Sequence, residues 1–271
     1  MRTLLVIIGW LLSSTVALAQ SFDLPQILTR GQIRFAFYND FPPFSDDNKG
    51  IDVELAAALA AKLGVKMVPL WFDADENMDD DLRNMVWKGH YLGYGPADAM
   101  MHVPVDRDYM LKNDKVKFFS PYYRERFAIA RRVDRVPALE SMEPFEKETI
   151  GVEGGSMPHT VLLSTDAGKY RANVVQFKSA MEAVKALRAG EVAAVMAQQG
   201  ELEGGLKDSS GFAISEAPIG GVKFRNWALG IAVKAGHEEL AQALQKAMNE
   251  LTADGTVAQI FAKYGVQYRG P

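Results

Sequence analysis

Few side chains in this 271-residue sequence are typed and spaced to do covalent chemistry. Its four histidines, His90, His102, His159 and His237, are too scattered for a sequence-local metal set, and no HExxH, P-loop, nucleophile elbow or dinucleotide fingerprint occurs. There is no cysteine, which excludes disulfides and thiol chemistry. Glu125 and Glu153 have the type of a general acid, yet spacing pairs neither with a second acid group. His102 stands on an apolar run that breaks at Pro104, and an imidazole there can titrate near neutrality; a structural hydrogen bond is the plainer role. What the residue types do supply is the makeup of a small-ligand cleft, aromatic walls with a few polar anchors. The candidates are Tyr38, Phe41 and Phe44 in the first strand-to-helix loop, His102 and Arg107 flanking Pro104, and Ser156 and Gln198 in the second half. No catalytic residue, metal ligand or cofactor is assigned.

One acidic stretch, residues 73–81, deserves a separate reading. Its oxygens fall on alternate positions (Asp73, Asp75, Asn77, Asp79, Asp81), which partly fits a calcium loop. Met78 stands where the turn glycine is required and Asn84 where the closing Glu belongs, so a solvated acidic loop is expected.

The elements that must position these residues follow from hydrophobic period and punctuation. Residues 33–37 read as a strand, 51–63 as a helix with Ile51, Leu55, Leu59 and Leu63 on one face, and 66–72 as a second strand. This order starts a parallel sheet with crossover helices. The stretch 89–132 then carries one wall of a site: a Gly-rich turn, an apolar run over 97–103, the Pro104 break, and a further strand over 127–130. Open α/β sheets place ligands at such strand ends. A second unit repeats the pattern, with a strand over 149–152 and a helix from Met157 capped by Ser156. The Gly154-Gly155-Ser156 start favours an anion by its free amides, or is a plain turn. A strand over 173–177 and a helix opened by Ser179 and Glu182 and closed by Gly190 come next. A strand over 192–197 then ends at Gln198-Gln199. Residues 227–233 and 238–251 read as a returning strand and helix, with a shorter helix carrying Val257, Ile260 and Phe261. Strand crossings near Phe127 and Trp227 would make a hinge.

The first 19 residues read as a cleaved secretory leader: Arg2, the apolar run LLVIIGWLL, and Ala17-Leu18-Ala19. The apolar run falls short of the roughly 20 residues of a membrane span. The expected location is periplasmic, with no membrane insertion. A slightly acidic formal charge of −4, with both signs interspersed, gives no support to a nucleic-acid partner.

In order along the chain, NDFPPFS, GIDVEL, FFSPYY, IGVEGGS, GEVAAV, WALGIAVKAG and LTADGTVAQIFAKYG resemble bacterial extracellular solute-binding protein family 3. The resemblance implies an α/β two-lobe periplasmic binding protein fold (type II). Lobe 1 is expected over 20–127 and 227–271, interrupted by lobe 2 over 128–226. It also implies a monomer without enzymatic activity that closes over a small ligand for an ABC permease. Departures from the family bear on the ligand. Arg107 falls near the clamp arginine, but His102 and Pro104 stand where two Thr are expected. Ala193 and Gln198 occupy positions where acids pair with a ligand ammonium. An ordinary α-amino acid is therefore not the expected ligand. Leu82-Arg83-Asn84, Asp98-Ala99-Met100-Met101, Pro121-Tyr122-Tyr123-Arg124 and Ser156-Met157-Pro158 resemble a branch associated with quinoprotein alcohol or methanol dehydrogenases. That branch implies, as the alternative, an accessory role for such a dehydrogenase. A binding-protein-like dehydratase is the third reading.

Overall fold

The computed structural model describes residues 22–74, 77–207, 210–220 and 226–271. Helix α1 (Leu24–Arg30) starts at the Asp23 side-chain cap and stops at Gly31, and strand β1 (Gln32–Tyr38) follows. Helix α2 (Ile51–Lys62) opens after Gly50, whose φ is 127° and whose added Cβ would fall 2.1 Å from the Phe44 carbonyl oxygen; only glycine fits there. Strand β2 (Lys66–Phe72), helix α3 (Met78–Leu82) with a π-helical continuation (Arg83–Trp87), and strand β3 (Ala99–Pro104) complete the first unit. Helix α4 (Arg107–Lys112) leads to β4 (Val116–Arg132), a strand of 17 residues.

The second unit contains β5 (Ile150–Glu153), α5 (Met157–Ser164), β6 (Val174–Phe177), α6 (Ala180–Ala189), β7 (Ala194–Gln198), α7 (Gln199–Leu206) and β8 (Phe212–Glu216). The expected caps do their work: the Ser156 and Ser179 hydroxyls accept from the amides of His159 and Glu182, and Gly190 closes α6 with φ 79°. Strand β9 (Asn226–Lys234) and helices α8 (Glu238–Ala253) and α9 (Thr256–Lys263) return to the first unit.

The sheet order is β2-β1-β3-β9-β4-β7-β5-β6, with β8 also on β4. Within each half the early strands are parallel, as the β-loop-α-β order implies. β4 pairs antiparallel with β9, β7 and β8, which periodicity alone could not reveal. β4 pairs with β9 over residues 116–126 and with β7 and β8 over 127–132, so one strand serves both sheets. The strand expected over 127–130 is the second part of this longer one.

Four apolar clusters sandwich the two sheets. Leu55, Leu59, Leu244 and Phe261 pack on one face of the first sheet and Met85, Met100 and Phe118 on the other. Ile150 and Phe145 lie on one face of the second, with Leu187 and Leu202 opposite. Trp227 touches clusters of both halves and packs at a tilt against Phe127, 4.8 Å between ring centroids. Phe127 and Trp227, the positions near which the crossings are expected, are thus in contact with each other.

Candidate functional site

A cavity of about 570 Å³ opens between the two halves, at the ends of β1, β5 and β7. Of the residues proposed from sequence, Tyr38, Phe41, His102, Ser156 and Gln198 line it. Phe44 does not: it is fully buried behind the wall, with its ring 4.4 Å from that of His102. Arg107 is also absent from the wall. The chain turns after Pro104, the Asp106 side chain caps α4 through the Tyr109 amide, and Arg107 stands exposed on that helix. Helix capping two residues past the break is what carries its side chain away from the cavity.

On the lobe 1 side the Tyr38 hydroxyl donates to Asp81 at 2.8 Å. Burial first, then the Asp81 charge, push this phenol well above its ordinary range. Phe41 packs edge-on against both Tyr38 and His102. Asp40, with φ 47°, stands between them on the wall.

His102 is the strained residue of the site. Its φ of 60° falls in the left-handed region, beside a register shift between Met100 and Val103 where β3 pairs with β9. A non-glycine residue there costs about 1–2 kcal/mol, so its surroundings must hold it. They do: His102 Nδ1 lies 2.8 Å from Asp52 Oδ2, and the Tyr122 hydroxyl donates to Asp52 Oδ1 at 2.5 Å. Asp52, in the first turn of α2, is 1% exposed and His102 6%. No local sequence signal joins residues 50 positions apart.

Lobe 2 contributes carboxyls that sequence reading had not assigned to the ligand. Glu153 ends β5 and accepts from the Ala180 amide at the start of α6 (3.2 Å). Burial raises its pKa, with Asp40 adding to the effect. Glu201, buried in α7, accepts from the Gln198 amide at 3.2 Å. Burial, then repulsion from Glu153 and Glu125, push it to about 8. The Ser156 hydroxyl is already used twice, donating to the Glu153 carbonyl (2.7 Å) and accepting from His159 N–H (3.2 Å). Behind the wall, Glu125 is fully buried, accepts from the Arg126 and Gly200 amides, and is raised to about 8 by burial.

The described wall therefore carries Asp40, Asp81, Glu153 and Glu201 against one cationic side chain, the exposed Lys178. Such a cleft focuses a negative potential on whatever enters. Among the described residues, no three His, Asp or Glu groups converge as metal ligands. The acidic stretch spends its side chains locally: Asp73 accepts from Asn39, Asn77 caps α3, and Asp80 pairs with Arg83. Asp75 and the neighbouring Glu76 lie outside the described residues, as does the expected leader. No helix among the described residues is long and apolar enough to cross a membrane.

No protein-family model matches the chain. A relative from Escherichia coli (strain K12), whose name proposes it as arginine-binding protein 2 of an ABC transporter, is 24% identical over 237 residues. The alignment covers 86% of this chain and 90% of that one. An ancestral cationic amino acid solute-binding protein superposes with a TM-score of 0.70 at 21% identity, covering 89% of this chain and 99% of its own. An amino acid ABC transporter substrate-binding protein from Streptococcus pneumoniae Canada MDR_19A, solved with L-arginine, gives a TM-score of 0.64 at 21% identity, with 89% and 97% covered.

The mixed sheets, the shared strand and the cleft between them are those of the two-lobe periplasmic binding protein fold. The neighbours are amino-acid-binding proteins, those from Escherichia coli and Streptococcus pneumoniae described as ABC transporter components.

Proposed function

We propose that this chain is the periplasmic solute-binding protein of an ABC importer, closing two lobes over a small cationic solute. The observation that carries the reading is the charge of the cleft wall: Asp40, Asp81, Glu153 and Glu201 with Lys178 as its one described cation. A ligand touching both lobes favours the closed state, which a permease then recognises. Two of the relatives, an arginine-binding protein and a protein solved with L-arginine, support a cation for the same site.

The lobes are taken as 20–127 with 227–271, and 128–226. The contact set is Tyr38, Phe41, His102, Ser156 and Gln198, to which the cleft adds the four acids. The acids of the wall supply the ammonium partners that Ala193 and Gln198 lack, so the case against an ordinary α-amino acid rests on Arg107 alone, which stands away from the cavity. Neither the geometry nor these relatives support a dehydrogenase partner, and the acids of the wall serve binding without a reaction. The test is a thermal-shift panel of the mature protein with cationic, neutral and anionic solutes, because a ligand selective for the folded state raises its Tm. Stabilisation by cations is expected; stabilisation by anions alone defeats the reading.

A further inference from the structure

We propose that His102 Nε2 is the hydrogen-bond acceptor through which lobe 1 holds the ligand, and that the ligand is an amine or guanidinium cation carrying no carboxylate. This rests on the reading of the cleft as a cation site and goes further, to the group the ligand must lack.

The argument starts from the proton on the imidazole. A carboxylate only accepts, and both oxygens of Asp52 are engaged, one by the Tyr122 hydroxyl and one by His102 Nδ1. Nδ1 must therefore carry hydrogen, and in the neutral ring Nε2 is left with a lone pair. Asp52 is here a positioning residue, choosing the tautomer of its neighbour. Nε2 is buried and has no hydrogen-bond partner among the described residues. Buried polar atoms are nearly always paired, so an orphan on a strained, over-held side chain points to a partner that arrives from outside.

The position says what arrives. His102 lines the cavity, and the ring of Phe41, edge-on to the imidazole, lines it too, so the imidazole stands at the wall a solute meets. Among the described residues, the charged side chains that lobe 1 adds to the wall are Asp40 and Asp81, both acceptors. A ligand carboxylate seated here would face a lone pair and two like charges. An ammonium or guanidinium N–H instead finds the acceptor it needs. Among the described residues, Asp40, Asp81 and Glu153, with Glu201 ionising as a cation enters, face only the exposed Lys178, which suits a ligand of more than one positive charge.

The experiment compares L-arginine with agmatine, which is the same molecule without its carboxylate, by calorimetry on the mature protein at pH 8, with putrescine and spermidine as further cations. In parallel, the imidazole nitrogens are followed by ¹⁵N NMR. Two variants separate the ligand contact from folding. His102→Asn keeps a donor for Asp52 and tolerates a left-handed backbone, but has nothing at the Nε2 position. Asp52→Asn turns its amide toward Nδ1 and moves the proton to Nε2 without changing volume.

Agmatine is expected to bind at least tenfold tighter than L-arginine, with an unprotonated Nε2 resonance that shifts on binding. Each variant is expected to weaken agmatine at least tenfold while its unfolding stays cooperative. L-arginine binding as tightly as agmatine would overturn this inference and leave the cation reading standing. So would unaltered agmatine binding by His102→Asn, or a proton found on Nε2 in the free wild-type protein. If none of the cations binds, the cation reading itself fails and this inference falls with it.

Discussion

The carboxyl of Glu125, at the point where β4 passes from one sheet to the other, lies 3.2 Å from the amide of Gly200 in α7. Burial lifts this group from 4.5 to about 8, so the folded chain keeps a proton that the unfolded chain releases above about pH 4.5. Stability must therefore fall as pH rises from about 5 to 8, since the folded state binds the extra proton there. Glu125→Gln is expected to flatten that slope and to exceed the wild type at pH 9 by about 1–3 kcal/mol. Urea unfolding across the pH range reads it, and equal slopes would refute it.

Gly200 also touches lobe 1. A Cβ there would lie 2.5 Å from Phe44 Cζ and 2.8 Å from Glu125 Oε2, both on packed and buried groups. Gly200→Ala is expected to cost about 1–3 kcal/mol through overpacking, seen as a lower Tm without ligand. A helix-stabilising increase in Tm would mean that α7 stands off from Phe44.

Cation binding should be coupled to proton release. Glu201, held near 8 by burial and neighbouring acids, is largely protonated at pH 7, and a cation beside it favours the ionised form. Affinity is expected to rise by up to about tenfold per pH unit between pH 6 and 8, then level off. Calorimetry in buffers of different ionisation enthalpy counts the proton, and Glu201→Gln should abolish its release.

Arg107→Ala should leave the affinity for a cationic solute within about twofold of wild type, as an exposed substitution away from the cavity does. A loss of binding would place that side chain in the closed site.

How much of this was legible follows from which signals are local. Ser156, Ser179 and Gly190 act within a turn of the helices they cap, and reading them from sequence works because capping is a short-range rule. Helix α7 escaped because QGELEGGL carries three glycines and no apolar stripe; it forms under the packing of Pro43 and Phe44, whose atoms leave no room for a Cβ at Gly204 and Gly200. Glu201 was missed with it. The Asp52, His102 and Tyr122 group spans three elements, and its pairing exists only once β3, α2 and β4 are assembled. Arg107 illustrates the opposite failure: a family spacing suggested a clamp, while Asp106 caps a helix that turns the guanidinium outward.

The passage of β4 from one sheet to the other has a mechanical consequence. A connection made of loop residues can pivot freely, whereas the ladder of β4 is paired on both sides of residues 126–127, with β9 before and with β7 and β8 after. Relative motion of the lobes must then be taken up as twist and bend of a hydrogen-bonded ribbon, which resists like a leaf spring and returns. If the lobes close on a solute as proposed, their travel is expected to be short and directed. An insertion tolerated in an exposed turn such as Tyr91 and Leu92 would, at the middle of β4, shift every downstream side chain to the opposite face.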